Sequence, residues 1–253
     1  MSLNKNTNGY IFGFALLVIL VCGVLLAAVS GALSEKQQME RELERKKFIL
    51  QSSLGDEISG MTKQDIAALY EKRVEEMVLD SNGKAIDGVS VNQVVLGKEY
   101  KKLEKNGTIK KGENIQLPIY LVKAENSEDV QYYVMPMFGF GLWDNIWGYA
   151  ALKSDLNTLQ GVVLDHKGET PGLGARITEQ KVQSRYQGKT VADESGAIVS
   201  VKMEKGEGND YSNKPHSVDG MSGATLTAVG VNNMMENYLR LYGPYIESAK
   251  QNK

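Results

Sequence analysis

The chain has 253 residues, of which 42% are hydrophobic and 24% are charged, and its formal net charge is −2. This composition excludes a disordered or fibrous protein and is typical of one moderately large globular domain with accessory segments. The near-neutral charge provides no basic field that would attract nucleic acid, so we expect no nucleic-acid partner.

Cysteine and histidine are too few for a metal-based redox centre. The one cysteine, Cys22, lies in an apolar N-terminal stretch, which excludes a disulfide framework, a CxxC pair and an iron–sulfur cluster held by this chain alone. With only His166 and His216, a histidine-based metal site is also short of ligands. We therefore predict no metal site, and we expect any redox role to use an organic cofactor.

Residues 11–33 are predicted to form a transmembrane helix after a short N-terminal tail, residues 1–10. The stretch contains no charged residue and no proline, and at about 1.5 Å per residue it covers the roughly 30 Å hydrocarbon core of a bilayer. The apolar region of a cleavable signal peptide, the alternative, usually has only about 7 to 15 residues. A lipoprotein signal ending at Cys22 is disfavoured by Val21, which stands where a small residue is expected. The lipid bilayer is thus a predicted partner.

The charges beside this stretch leave the side of the membrane open. Lys5 precedes it, and a mixed run of basic and acidic residues follows it. The basic residues alone would place the rest of the chain in the cytoplasm by the positive-inside rule. The acid–base spacings suit instead a solvated helix that leaves the membrane, and the rule weakens when a long folded domain follows.

Residues 34–88 are predicted to form a helical connector and packing region. Thr62 and Asp65 are typical of the N-cap of a helix. Apolar residues at three- and four-residue spacing extend that helix to Met77, and the turn at 80–83 ends it. These apolar residues are Ile66, Leu69, Tyr70, Val74 and Met77.

Residues 89–253 are predicted to form an α+β domain with a largely antiparallel sheet and packed helices. Short β-rich runs, separated by glycine-rich or charged turns, predict the strands. These runs are 117–122, 130–137, 147–152, 161–164 and 197–201. Helical patterns return at 176–186 and, more strongly, at 226–241.

The turn before the last helix contains a candidate phosphate site. Residues 219–227 read Asp-Gly-Met-Ser-Gly-Ala-Thr-Leu-Thr, which predicts a turn running into an amphipathic helix. One interpretation is an ordinary capped helix start, in which Ser222 or Thr225 accepts hydrogen bonds from free backbone amides. The other is a phosphate site, because unpaired N–H groups and the helix dipole both favour an anion there. The small neighbouring side chains would leave the hydroxyl of Thr225 open to a second protein.

A second string, residues 166–174, reads His-Lys-Gly-Glu-Thr-Pro-Gly-Leu-Gly and follows a predicted strand. It has an ordinary explanation as a loop in which the proline sets one torsion and the glycines allow positive φ. The same glycines would let main-chain amides approach a ring system. Leu173 would then supply an apolar platform, and Glu169 or Thr170 would supply polar contacts.

Together the two strings resemble the signatures of the FMN-binding family of bacterial membrane electron carriers. Residues 219–225 resemble its flavinylation motif, in which the final threonine takes the phosphate of FMN, and 169–174 resemble its second, upstream signature. With the single N-terminal anchor, the match covers almost the whole chain. The resemblance implies covalent FMN, joined as a phosphoester to Thr225. The motif residues that it implies around the phosphate are Asp219, Ser222, Gly223 and Ala224.

The resemblance also implies the contacts of the isoalloxazine ring. Glu169, Thr170 and Leu173 are expected beside it. Trp143 is another candidate contact, although a core aromatic beside a turn explains it as well. Asp219 is either a turn-forming aspartate or a residue that helps to present the hydroxyl. Thr225 is an acceptor, so no catalytic residue is implied.

Two relatives share these strings: the C subunit of the sodium-translocating NADH:quinone oxidoreductase and the G subunit of the Rnf electron-transport complex. Residues 139–143 and 148–149 resemble the sodium-pump version, whereas Asp144, Asn145 and the run 123–129 depart from it. The resemblance implies an electron-transfer subunit of that reductase, without a substrate site of its own, that crosses the bacterial inner membrane once and has a periplasmic domain. Its implied partners are the other membrane subunits and, during maturation, an FMN transferase. The alternatives are a flavoprotein of the Rnf type and a membrane-anchored binding module without flavin.

Overall fold

The structure is a computed structural model that describes residues 7–251. Residues 1–6 of the expected N-terminal tail lie outside the described residues. The chain divides into two compact units, the first ending at Arg45 and the second beginning at Lys46.

The first helix, α1, runs from Asn8 to Leu54 and contains the predicted membrane-spanning stretch 11–33. Its most apolar window has a mean hydropathy of 3.0, and none of that window is buried. Among the described residues, it is the one helix that is long and apolar enough to cross a membrane. A 3₁₀ turn, Gly55–Ile58, follows it.

The second helix, α2, is Lys63–Arg73, and it begins with the predicted N-cap. The Thr62 hydroxyl accepts from the Asp65 N–H at 3.2 Å, and the Asp65 carboxylate accepts from the Thr62 N–H at 3.1 Å. The prediction that this helix continues to Met77 is wrong. Val74–Leu79 instead forms strand β1, which lies within the range 34–88 and pairs along its whole length with the later strand Leu117–Lys123. Pairing with a distant strand outweighs the local helical spacing.

The main sheet has five antiparallel strands whose order follows the chain, so each strand pairs with its neighbour in the sequence. A short helix, α3, at Leu96–Tyr100 precedes β2. The strands after β1 are β2 at Leu117–Lys123, β3 at Val130–Phe140, β4 at Asn145–Lys153 and β5 at Leu159–His166. The predicted antiparallel sheet is thereby confirmed, together with four of its predicted runs.

The segment after β5 differs from its prediction in two places. The helix predicted at 176–186 is present as three short pieces, and the strand predicted at 197–201 is wrong. There, Ala192 and Ile198 form a single antiparallel bridge. The helical pieces are Gly174–Thr178 (3₁₀), α4 at Gln180–Gln183 and Ser184–Tyr186 (3₁₀). A small parallel pair follows, β6 at Lys202–Met203 and β7 at Ser217–Val218.

The last helix, α5, runs from Thr225 to Gln251 and packs on one face of the sheet. A Cβ at Gly139 would lie 2.9 Å from the Cβ of Met234, and a Cβ at Gly230 would meet the Phe140 carbonyl. These glycines let the helix backbone approach the end of β3 more closely than larger residues would allow. The N-terminal part of α5 is thereby held against the hairpin between β3 and β4.

The end of α1 and other residues of the second unit cover the opposite face. The rings of Phe48 and Tyr149 lie 6.1 Å apart, and a Cβ at Gly161 would lie 2.6 Å from the Ser52 carbonyl. Ile49 and Leu50 are fully buried. Both faces of the central strands are therefore covered, which explains their nearly continuous burial.

Candidate functional site

Thr225 is the first residue of α5, and its side chain is exposed. In the turn before it, the Ala224 N–H donates to the Met221 carbonyl at 3.2 Å. The Ala228 N–H donates to the Ala224 carbonyl at 3.0 Å. The N–H groups of the first helical residues therefore lie before the first i to i−4 hydrogen bond of the helix. The helix dipole adds partial positive charge at the same place. An exposed hydroxyl thus stands where an anion is favoured.

The two predicted strings meet in space at Leu173. A Cβ at Gly223, whose φ is +75°, would lie only 2.8 Å from Cδ2 of Leu173. The loop that carries Leu173 is closed by backbone bonds, since the N–H groups of Leu173 and Ala175 both donate to the Thr170 carbonyl, at 3.1 and 3.2 Å. Leu173 and Thr170 are exposed beside the turn.

Glu169 is buried, with 4% of its surface exposed, and links three segments. Oε2 accepts from the Thr227 hydroxyl at 2.6 Å, and Oε1 accepts from the Trp143 N–H at 2.9 Å. A Cβ at Gly141 or at Gly174 would collide with its carboxylate, so these glycines leave room for it. Burial raises the pKa of Glu169, but the hydrogen bonds from Thr227 and from the backbone of residues 142–144 together outweigh burial and bring this pKa below its ordinary value.

Trp143 is 69% exposed, so its interpretation as a core aromatic is wrong. It belongs to a larger exposed apolar group. Within the described residues of the second unit, six of the eight exposed large hydrophobic side chains lie on the segments that Glu169, Leu173 and Gly230 bring together around Thr225. We name these six the apolar rim: Phe140, Leu142, Trp143, Leu173, Leu226 and Val229. Grouped exposure of this kind is typical of a binding surface.

Asp219 holds a neighbouring loop. Its carboxylate accepts from the N–H groups of Gly208, at 2.7 Å, and Asn209, at 3.2 Å. Burial raises the pKa of Asp219, but these bonds, the Asn209 side chain and the charge of Arg185 together outweigh burial and lower this pKa overall. This geometry favours the turn-forming interpretation. Ser222 is exposed, whereas Ala224 is buried under the turn.

A group of charged residues beneath the turn is absent from our sequence predictions. Arg176 donates to both carboxylate oxygens of Glu207, at 3.0 and 2.6 Å, and Arg185 donates to the same carboxylate at 3.2 Å. Oε2 of Glu207, the oxygen that Arg185 does not contact, also accepts from the Ser222 N–H at 3.1 Å. Hydrogen bonds from Arg176, Ser222 and Arg185 hold the pKa of Glu207 well below its usual range. These partners lie 15 to 31 residues from Glu207 in the chain, so no local pattern identifies them.

The site fits a flat apolar ring with a phosphate tail. The apolar rim offers surface for the ring, and the helix terminus at Thr225 offers N–H groups and a hydroxyl for the phosphate. Within the part of the chain that the structure describes, no group of three or more His, Cys, Asp or Glu residues is arranged to hold a metal ion. The apolar rim and the helix terminus together suit an organic ligand that carries a phosphate.

Comparisons with known proteins agree on one family. The FMN-binding domain family matches residues 141–240, the part that contains Thr225 and every residue of the apolar rim except Phe140. The C subunit of the Na(+)-translocating NADH-quinone reductase from Pseudomonas aeruginosa is 33% identical over 237 residues, covering 89% of this chain and 88% of that protein. Its counterpart from Haemophilus ducreyi is 29% identical over 263 residues, covering 98% and 96%.

Solved structures lead to the same result. The crystal structure of the counterpart from Parabacteroides distasonis superposes with a TM-score of 0.69 at 27% identity, covering 85% of this chain and 96% of that one. The crystal structure of Shewanella oneidensis NqrC also gives a TM-score of 0.69, at 25% identity, covering 82% and 97%. With near-complete coverage by relatives and structures, the chain belongs to the NqrC family, the C subunits of the Na(+)-translocating NADH-quinone reductase, an oxidoreductase complex.

Proposed function

We propose that this chain is the electron-carrier subunit of a sodium-translocating NADH:quinone reductase, with FMN joined by a phosphoester to Thr225. The observation that carries the proposal is the position of Thr225. Its exposed hydroxyl stands at the N-terminus of α5, inside the apolar rim. The cysteines and histidines of the chain are too few for a metal-based redox centre, which leaves an organic cofactor.

The attachment is a group transfer from FAD by a separate FMN transferase. The Thr225 oxygen attacks the flavin-side phosphorus, a new O–P bond forms and the pyrophosphate O–P bond breaks. AMP leaves, and the hydroxyl proton passes to a base of the transferase or to water. Thr225 is therefore the acceptor. The ester phosphate retains one negative charge, which the N–H groups at the start of α5 are placed to stabilise.

In the bound state we place Leu173, Trp143 and Thr170 beside the ring, and Ser222, Gly223 and Ala224 around the phosphate. Glu169 supports the ring contacts from below, because its carboxylate accepts a hydrogen bond from the Trp143 backbone. When bound, FMN supplies electron transfer at its ring, while the protein positions it and sets its surroundings. We propose that electrons pass from an iron–sulfur centre through this FMN towards the flavin of the B subunit.

We propose the predicted membrane arrangement as part of this function. Residues 11–33 cross the bacterial inner membrane once, residues 34–88 form the connector and packing region, and residues 89–253 form the FMN-binding domain on the periplasmic side. A covalent cofactor suits that compartment, because a cofactor held only by mass action is lost where free FMN is scarce. Stretch 11–33 has no Asp, Glu, His, Lys or Arg, so we assign the sodium path to other subunits.

The attachment is tested by coexpressing the full chain with an FMN transferase. Wild type, Thr225→Val and Thr178→Val are compared by intact mass and by in-gel flavin fluorescence after denaturation. We expect an added mass of one FMN less one water in wild type and Thr178→Val, and none in Thr225→Val. Thr178→Val is the matched control, since it makes the same substitution at another exposed threonine outside the acceptor turn. If wild type carries no adduct while the same transferase modifies another substrate, the proposed attachment is wrong. The remaining interpretation is then a membrane-anchored binding module that holds no flavin.

Sidedness is tested separately in intact spheroplasts. Glu194→Cys, at an exposed position, is made in a Cys22→Ser background and treated with a membrane-impermeant maleimide. Labelling before lysis is expected for a periplasmic domain, whereas labelling only after lysis would place the domain in the cytoplasm.

A further inference from the structure

We infer that Glu207, held by Arg176 and Arg185, is a positioning residue for the acceptor turn, residues 219–224, and that FMN transfer therefore acts on the folded domain. The inference rests on the proposed attachment at Thr225. It concerns residues outside both strings that predicted the cofactor.

The contact of Glu207 with the acceptor turn is direct. One oxygen of its carboxylate accepts from the Ser222 N–H at 3.1 Å, three residues before Thr225. Arg176 grips both oxygens through two guanidinium nitrogens, at 3.0 and 2.6 Å. A two-point pair of this kind restricts the orientation of the carboxylate. The position of the Ser222 backbone is therefore tied to Arg176, in a different part of the chain.

A side chain of the acceptor turn in turn binds the loop that carries Glu207. The Asp219 carboxylate accepts from the N–H groups of Gly208 and Asn209. Arg185 donates to the carbonyls of Asp219 and Gly220 while it contacts Glu207. The turn is thus restrained through the Ser222 N–H, two carbonyls and the Asp219 side chain. Arg176 and Arg185 are only 19% and 13% exposed, so solvent competes weakly for these bonds.

Close backbone packing leaves the turn little room to shift. A Cβ at Gly220 would collide with the carbonyls of Glu204 and Gly206. The turn therefore lies directly on the backbone of the loop before Glu207. An unfolded chain would have the same residues 219–225 but none of these restraints.

Restraint of this kind affects the transfer rate because the hydroxyl oxygen must meet the phosphorus in line with the leaving oxygen. A misplacement of about 1 Å can lower the rate of such a step roughly 100-fold. The two guanidinium groups also offset the charge of Glu207, so this carboxylate can remain ionised beside the acceptor turn without an unpaired charge. Glu207 acts through the backbone of Ser222 and does not touch the reacting atoms.

The experiment measures FMN transfer to the purified full chain in detergent, with transferase, FAD and Mg²⁺, at several chain concentrations. The variant is Glu207→Gln, and the matched control is Glu179→Gln. Glu179 also approaches Arg176, at 3.5 Å, but its carboxylate has no hydrogen bond to the acceptor turn among the described residues. We expect kcat to fall roughly 10- to 100-fold for Glu207→Gln, with a smaller change in KM. Glu179→Gln is expected to stay within about twofold of wild type.

Folding is monitored by near-UV circular dichroism at the assay temperature. If Glu207→Gln does not fold, Arg185→Lys replaces it as the test variant. Lysine keeps the positive charge but loses the hydrogen bonds to the carbonyls of Asp219 and Gly220. The same fall in kcat is then expected. Urea-unfolded wild type is expected to accept no FMN above background. A folded Glu207→Gln with wild-type kcat, or an unfolded chain modified at the wild-type rate, overturns the inference while leaving Thr225 as the acceptor. A folded wild type that takes no FMN overturns the proposed function as well.

Discussion

The hydroxyl of Thr227 donates a hydrogen bond of 2.6 Å to the carboxylate of Glu169, and both side chains are buried. The same carboxylate accepts from the Trp143 backbone. One charged group therefore joins helix α5, the loop after β5 and the hairpin between β3 and β4. The apolar rim around Thr225 is assembled at this junction, and its geometry depends on a bond that lies beneath the exposed surface.

Thr227→Val is expected to lower the free energy of unfolding by about 1–3 kcal/mol, because a buried carboxylate loses a donor. Chemical denaturation of the full chain in detergent, followed by tryptophan fluorescence, measures this change. Thr225→Val is the control, since the same substitution at an exposed position is expected to change stability by less than about 0.5 kcal/mol. Equal losses in the two variants would contradict the proposed importance of the Glu169 bond.

Removing the hydroxyl is expected to change stability in opposite directions at two neighbouring buried tyrosines of α5. The Tyr242 hydroxyl lies 2.6 Å from the Pro118 carbonyl and 3.1 Å from the Pro136 carbonyl, so Tyr242→Phe is expected to cost about 1–2 kcal/mol. The Tyr238 hydroxyl is buried without a hydrogen-bond partner among residues 7–251, so Tyr238→Phe is expected to preserve or raise stability. Parallel denaturation curves measure both, and a larger loss at Tyr238 would contradict this assignment.

Gly230→Ala is expected to destabilise the chain by about 1–3 kcal/mol, because its methyl group would press α5 away from the Phe140 carbonyl. Asn233→Ala, at an exposed position of the same helix, is expected to stabilise it by up to about 0.5 kcal/mol through helix propensity. Thermal unfolding monitored by circular dichroism distinguishes them. A Gly230→Ala variant at least as stable as wild type would show that the close approach is unnecessary.

Acid is expected to destabilise the protein through three carboxylates. Glu169, Glu207 and Asp219 have pKa values below their ordinary ones in the folded state. Their contribution is fully present above the unfolded pKa values, about 4, and is lost as pH falls through the folded values. The denaturation midpoint is therefore expected to be nearly constant from about pH 7 to 5.5 and to fall below about pH 4.5.

Glu207→Gln identifies one source of this acid sensitivity. The variant is expected to be less stable than wild type at pH 7 and to lose less stability as pH falls from about 5 to 3. Glu247→Gln, at an exposed position of α5, is the control and should retain the wild-type profile. A steep, unchanged acid slope in Glu207→Gln would show that other carboxylates determine it.

Trp143→Ala tests the apolar rim as the surface for the flavin ring. Since Trp143 is 69% exposed, we expect little change in stability. Fluorescence of the native flavinylated protein should rise, because an aromatic neighbour that stacks on the ring and quenches it is removed. Val95→Ala, another exposed apolar position outside the rim, serves as the control. Unchanged fluorescence in Trp143→Ala would remove this side chain from the proposed ring contacts.

Local features of the sequence predict much of the fold. The apolar stretch 11–33, the N-cap at Thr62 and the helix after Thr225 can be identified because each depends on residues one to four positions apart. The strands β2 to β5 can also be identified, because each pairs with its neighbour in the chain. Strand β1 cannot, because Val74 and Met77 continue a helical spacing and only the partner strand β2 overrides it.

The candidate site also has parts that the local sequence identifies and parts that only the tertiary structure decides. Composition and short motifs are enough to identify the acceptor turn, the second string and the lack of thiols for an iron–sulfur cluster, because that information is local. The folded arrangement alone decides that Glu169 bonds Thr227, 58 residues away, and that Arg176 and Arg185 grip Glu207 beneath Ser222. A buried or half-buried charge needs partners, and the fold selects them from whichever distant segments it brings within hydrogen-bond distance.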